Sequence, residues 1–263
     1  MAHRSAGAPG GHDAPGAQGA LPVPGAGVPG LDALLEHAVR IPSPTIHAHV
    51  QRLRERNPEA SPERLLALLE KEYLTLVQST GAAVGAAAAI PAVGTATATA
   101  LTVGDLGAFF AASAAYTLAV ADVHGIAVED TQRRRALLLA SVLGDDGTRA
   151  LASAGINPAS WGKVLLAGAP SSTIRKVNKV LTGRFLKRYL AKQSGVMLGR
   201  LIPFGVGAAV GALGGRALGR GVVRQAHAAF GPPPVEIGVP VRVVEATSPT
   251  DTPVLLERGT DLR

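Results

Sequence analysis

Asp105, Asp122 and His124 are the residues in this chain best placed for chemistry, because two carboxylates and an imidazole flank its longest uncharged stretches. Such a set can work as a general acid and base, or as ligands to a divalent metal ion. Three groups with neither a nucleophile nor a fourth ligand do not specify a reaction, so they read as residues that cap or flank helices at a surface. His47 and His49 are two positions apart, which on a helix turns them about 200° away from each other and prevents a shared metal. Both read as surface residues. The segment GINPASWGKV at 155–164 misses a phosphate-binding loop twice: six residues rather than four separate its glycines, and valine follows the lysine. The G-x-G-x-x-G match at Gly25, Gly27 and Gly30 lies in a Gly/Ala/Pro-rich stretch with Pro29 inside it and no strand before it. Neither G-x-S-x-G nor H-E-x-x-H occurs. Without cysteine, disulfides and thiolate metal sites are excluded, which suits a reducing compartment. The sequence thus assigns no catalytic residue, no metal and no cofactor, and identifies no small-molecule substrate.

The elements that could position any site are helical. Residues 1–30 have little to bury and are expected to form a disordered arm; no apolar signal-peptide core precedes the domain, which gives a cytoplasmic start. Helical spacing begins at Leu31. Ser43-Pro44 and Ser61-Pro62-Glu63 each predict a hydroxyl N-cap followed by proline at the first helical position. Asp130 is the expected cap of TQRRRALLLASVL, and Asn157-Pro158 that of a helix through Trp161 and Leu166. Ser171 or Ser172 is read as capping TIRKVNKVLTG, with RFLKRYLAKQSGVMLGR as a separate helix. The triple proline at 232–234 closes a helical domain of residues 31–232. The tail, 233–263, is expected to be irregular apart from a proline-interrupted strand in VEIGVPVRVV.

The six letters GAAVGA stand at 81–86 and return at 207–212. In the second copy Gly207, Gly211, Gly215 and Gly219 are spaced by four; the first offers Gly81 and Gly85. Each glycine inside a helix costs about 1 kcal/mol relative to alanine, so four cost roughly 4. Close backbone contact with a second helix is the known compensation, and the two repeats can supply opposite halves of one interface. A leucine at position 211 should then be strongly disruptive and an alanine milder. From Glu72 to Asp105 lie 32 uncharged residues, enough for a span of about 20. Yet between 79 and 104 only Val84, Ile90, Val93, Leu101 and Val103 belong to the strongly inserting class, and Pro91 divides the run. A helical hairpin, inserted shallowly or buried in protein, fits better than one transmembrane helix.

The net charge of +7 is unevenly spread. Residues 1–146 carry 10 Lys and Arg against 14 Asp and Glu; residues 147–235 carry 13 against none; the rest carry 3 against 5. An anionic partner is implied. Arg175, Lys176, Lys179, Arg184, Lys187, Arg188, Lys192 and Arg200 crowd one amphipathic stretch that leads into the uncharged segment 201–215. That order suits anionic lipid. Nucleic acid is the rival, but Phe185, Tyr189, Asn178 and Gln193 are the few side chains that could stack on or read bases. A solvated basic face on a soluble bundle is the third reading.

SPERLLALLEKEYL followed by GAAVGAAAAIPAVGT, then KVNKVL and GRLIPFGVGAAVGALGG, resembles the EcsC family of bacterial proteins, over roughly residues 45–231. Arg216 departs from that pattern, standing where the glycine run would lead towards asparagine. The resemblance implies a helical, membrane-associated protein of unestablished activity. The expectation is therefore an all-α bundle with two glycine/alanine-rich hairpin elements. Its expected role is non-catalytic, as an accessory or scaffold to a membrane system at the cytoplasmic face of the cell membrane. The alternatives are a soluble oligomerisation module, in the cytoplasm and self-associating or bound to a protein partner, and a nucleic-acid binder.

Overall fold

The computed structural model describes residues 30–88, 95–157, 159–196, 206–235 and 241–242. Over these residues the chain is all-α, with nine helices and one pair of two-residue strands. The helices are α1 (Leu31–Val39), α2 (Ser43–Arg56), α3 (Pro62–Ala88), α4 (Thr95–Val123), α5 (Thr131–Leu143), α6 (Asp145–Ser153), α7 (Trp161–Ala167), α8 (Ser171–Val196) and α9 (Val206–Phe230). Strand β1 (Ile126–Ala127) pairs in parallel with β2 (Val241–Arg242). Of the strand expected in the tail, Val241–Arg242 is a strand, and residues 236–240 and 243–244 lie outside the described residues. The N-terminal arm, Pro91 and most of the tail lie outside the described residues.

Helix α5 is the hub. Ala136, Leu137, Leu138, Leu139 and Ala140 are fully buried, and the helix packs against α1, α4, α6, α7, α8 and α9. A helix apolar on all sides belongs in a core. Its start is set by Asp130, whose Oδ1 accepts from the backbone N–H groups of Gln132 (2.6 Å) and Arg133 (3.2 Å). Its end is Gly144, at φ 65°, where the chain turns into α6.

Three consecutive arginines at the start of α5 fasten neighbouring segments to it. Arg133 donates from Nη1 to the carbonyls of Leu165 (2.9 Å) and Leu166 (3.3 Å), which are C-terminal carbonyls of α7 without partners in their own helix. Arg135 donates to Asp32 at the start of α1 (2.5 Å) and to Thr182 on α8 (3.2 Å). Arg134 is the most deeply placed, at 4 % exposed. Its Nε donates to Val128 O (2.7 Å), its Nη1 to Val39 O (3.0 Å) and Ile41 O, and its Nη2 to Ser43 Oγ (2.5 Å). Burial pushes its pKa down, against an upward pull from Glu129. A buried guanidinium is tolerable here because its donor fork is matched by fixed acceptors.

That network corrects one expected cap. Ser43 is the first residue of α2 rather than its N-cap, which is Pro42; its hydroxyl accepts from Arg134 and donates to Val128 O (2.9 Å). Ser61 does cap α3, accepting from the N–H of Arg64 (3.2 Å), with Pro62 as the first helical residue. The two helices expected on either side of Gly183 are one, α8, because Val177, Leu181 and Phe185 bury a continuous face across that glycine. Helix α7 starts at Trp161, later than expected: Asn157 Oδ1 instead accepts from Ala159 N (2.9 Å) in the preceding loop.

An Arg134→Lys chain should unfold with a loss of about 3 kcal/mol, since an ammonium cannot serve acceptors in three directions and leaves buried carbonyls unpaired. Urea titration followed by circular dichroism checks this, with an unchanged slope.

Candidate functional site

Helices α3 and α9 pack against each other more extensively than any other pair. Their contact is made by backbone. A Cβ placed on Gly81 would stand 2.5 Å from the carbonyl oxygen of Gly211, and one on Gly211 would run into the carbonyl of Gly81. One on Gly215 would strike the carbonyl of Val77; one on Gly219 would lie 2.8 Å from Val77 Cγ2 and 3.0 Å from Leu74 Cδ2. The same added carbon on Gly211 would stand 3.4 Å from the Cα of Gly85. Gly207 lies one turn earlier on α9, and its surroundings are outside the described residues. Gly214, by contrast, faces open space.

Around this seam the surface is apolar and small. Leu213 is 67 % exposed and Leu218 53 % on α9, and Leu76 is 51 % exposed on α3; Ala83, Ala86, Ala209 and Ala217 are exposed beside them. The hydroxyls of Thr75, Ser79 and Thr80 donate back to carbonyls of α3, at 2.8, 2.9 and 3.1 Å. Within α4 the stretch Gly104–Val123 is long and apolar enough to cross a membrane, and 61 % of it is buried inside the fold.

The basic helix α8 divides into two faces. Ile174, Val177, Asn178, Leu181 and Phe185 are buried, and Asn178 Nδ2 donates to Gln132 O on α5 (2.9 Å). Arg184 and Arg188 lie at the edge and turn inward: Arg184 donates to Asp146 O (2.8 Å), and Arg188 to Leu143 O (2.9 Å) and Asp146 Oδ2 (3.3 Å). The hydrogen bond from Arg149, helped by these charges, holds the Asp146 carboxyl below the usual range. Arg175, Lys176, Lys179 and Lys187 are exposed and have no hydrogen bond or ion pair among the described residues. At 100° per residue they fall within an arc of about 120°, opposite the buried face. The side chain of Lys192, and Arg200 altogether, lie outside the described residues.

The acid and imidazole groups are arranged differently from their reading as surface caps. Asp122 is only 7 % exposed and pairs with His47, whose Nδ1 is 3.0 and 3.1 Å from its two carboxylate oxygens. Gln51 Nε2 stands 3.3 Å from His47 Nε2, while Gln51 Oε1 accepts from Arg54 (3.3 Å). All of these bonds are satisfied by an imidazole with its proton on Nδ1. Spacing missed this pair because its members are 75 positions apart. His124 takes no part: its Nδ1 bonds to Val120 O (2.8 Å), its ring lies against Phe230 (5.3 Å between centroids), and burial pushes its pKa down. Asp105 is half-buried, and burial raises its pKa. Among the described residues no hydroxyl is hydrogen-bonded to His47 and no group of three His, Asp or Glu could hold a metal ion. His49 pairs with Glu72 (3.0 Å) across a surface cleft lined by Arg52, Leu53 and Arg56.

No family model, no curated protein and no solved structure matches the chain.

Gly211→Ala should already be destabilising by about 1–3 kcal/mol, because its Cβ meets backbone that cannot rotate away, and Gly211→Leu should be worse. Gly214→Ala, with nothing near it, should instead stabilise by about 1 kcal/mol; thermal melts of the three chains compare them. For Asp122, burial outweighs His47 and raises the carboxyl above the ordinary 3.8. The folded chain therefore holds that proton more tightly than the unfolded one, and the associated stability, whole below 3.8, is lost as pH rises through the raised value. Asp122→Asn keeps an acceptor for His47 and escapes this loss. It should resist urea better than the parent at pH 8, with the gap closing towards pH 4.

Proposed function

We propose that this chain is a non-catalytic protein that binds anionic lipid at the cytoplasmic face of a membrane, as an accessory or scaffold to a membrane system. The observation that carries the reading is the arc of Arg175, Lys176, Lys179 and Lys187 on α8, four exposed cations with no carboxylate to answer them among the described residues. A second phosphate-bearing surface is their natural counterpart. The resemblance to the EcsC family points the same way, and cysteine-free composition suits a cytoplasmic setting. A catalytic reading has less support: in the half-buried Asp122–His47 pair the second ring nitrogen of His47 is taken up by Gln51, and no hydroxyl is bonded to the pair among the described residues.

Nucleic acid would also satisfy four cations. It is disfavoured because the exposed arc carries Val180 and Gly183 between the cations and no aromatic ring on which a base could stack.

Magnitudes limit what the arc can do. At about 1 kcal/mol per cation close to the surface, four supply about 4 kcal/mol, which alone corresponds to millimolar affinity. Stable residence on a membrane needs an apolar contribution as well. Co-sedimentation with neutral and anionic vesicles at two salt concentrations tests the reading, with a duplex oligonucleotide titrated in parallel. Binding should rise with anionic lipid and weaken, without vanishing, in high salt. Replacing Arg175, Lys176, Lys179 and Lys187 together by Gln should lower the dependence on anionic lipid without altering the melt; Arg188 is left out because it ties α8 to α5. Binding to the oligonucleotide and not to vesicles, or to neither, would reject the lipid assignment.

A further inference from the structure

The Gln78 and Arg216 side chains meet at 2.9 Å and mark one level on the α3–α9 pair. The glycine contacts, Gly81 against Gly211 and Gly215 against Val77, run the two helices in opposite directions. From Gln78 to Ala88 α3 advances ten residues, and from Arg216 back to Val206 α9 does the same. At 1.5 Å per residue both ends stand about 15 Å beyond the Gln78–Arg216 bond. That is half of the roughly 30 Å of hydrocarbon in a bilayer. No charge occurs on either stretch past Arg216 and Gln78; on α4, which packs alongside α3, residues 95–104 carry none, and half-buried Asp105 is the one carboxyl beyond this level among the described residues, near the arm's base.

The surface chemistry changes at the same level. Beyond it the outer face of α9 presents Ala209 and Leu213; at it and below come Arg216, Arg220 and Arg224, of which the last two are exposed and have no partner among the described residues. On α3 the hydroxyls of Ser79 and Thr80, just past Gln78, are spent on backbone carbonyls of their own helix, which lowers the cost of placing them away from water.

Building on the lipid reading above, we propose that the ends of α3, α4 and α9 form an arm that enters one leaflet of an anionic bilayer, with the Gln78–Arg216 level at the headgroups. Leu213 and Ala83 then lie in hydrocarbon, while Arg216, Arg220 and Arg224 meet phosphate groups. Charge complementarity favours lipid over a second copy of this chain as the occupant of the exposed apolar face, since a copy with a net charge of +7 would bring like charges together at the arm's base.

The absence of native cysteine allows single labels. Leu213→Cys, Ala83→Cys and Arg220→Cys chains, each carrying an environment-sensitive fluorophore, are mixed with vesicles of equal parts phosphatidylcholine and phosphatidylglycerol. The lipids bear nitroxide quenchers either at the headgroup or in mid-chain. The labels at 213 and 83 should be quenched several-fold more by the mid-chain nitroxide, the label at 220 more by the headgroup one, and none by a quencher trapped in the lumen. Leu213→Asp should weaken vesicle binding about tenfold with an unchanged melt. If the chain co-sediments with these vesicles while the labels at 213 and 83 stay open to aqueous iodide, the arm is refuted and lipid binding through α8 stands. Quenching from the lumen would show a span and overturn the single-leaflet depth. Shielding of the labels without lipid, growing with protein concentration, would assign the face to a second copy. Failure to bind anionic vesicles at low salt removes both readings together.

Discussion

The approach of two peptide backbones at Gly81 and Gly211 is the constraint on which the rest of this structure turns. Helices packed through ordinary side chains stand about 8–10 Å apart; here a single added carbon would collide with a carbonyl oxygen. That closeness must offset the roughly 1 kcal/mol that each glycine costs a helix, and it can do so only if the seam stays continuous. Tyr73 secures its lower end. Its ring stacks on Tyr116 at 4.7 Å, its hydroxyl bonds to Ser113 on α4 (2.8 Å), and its edge closes the space beside Gly219. Burial pushes its pKa up to about 12, so the hydroxyl keeps its proton and one ring fixes α3, α4 and α9 together.

Above and below Tyr73 the chain uses opposite means of cohesion. The base around α5 is held by long side chains that reach to carbonyls left over at helix ends, as Arg133 does for α7 and Arg188 for the last turn of α5. Such bonds need water excluded and donors in fixed directions, which leucine-rich packing provides. The arm has neither long polar side chains nor a leucine core, and relies on fit between small residues. Dispersion between closely packed backbones does not depend on a surrounding aqueous phase in the way that hydrophobic burial does. An arm built this way can keep its shape in water or in lipid, whereas the base could not.

How much of this was legible in the sequence depended on the range of the interaction involved. The all-α class, the core start at Leu31 and the caps at Ser61 and Asp130 are local, and the residues state them. Ser43 looked like the same kind of cap and was not, because Arg134, 91 positions later, takes its hydroxyl. Gly183 looked like a break in α8, and the buried face formed by Val177, Leu181 and Phe185 overrides its modest cost. The His47–Asp122 pair is wholly a product of the fold. The spacing of Gly211 and Gly215 is visible in the chain, but that they meet the carbonyls of Gly81 and Val77 is a matter of register, which spacing does not carry.

The uneven distribution of charge has its own structural consequence. With no acid between residues 147 and 235, a cation on α7, α8 or α9 can be answered only by carbonyls, by polar side chains or by carboxylates from outside that stretch. Those within reach have been answered: Arg184 and Arg188 by Asp146 and Leu143, Arg216 by Gln78. Asp145, the other acid at that junction, accepts from Gln225 (3.2 Å). Among the described residues Lys163, Arg175, Lys176, Lys179, Lys187, Arg220 and Arg224 are left outward. Folding alone does not require those seven positive charges, and their mutual repulsion works slightly against it. A surplus of this kind on one third of the chain, without a single carboxylate within it, is the charge pattern on which the lipid proposal rests.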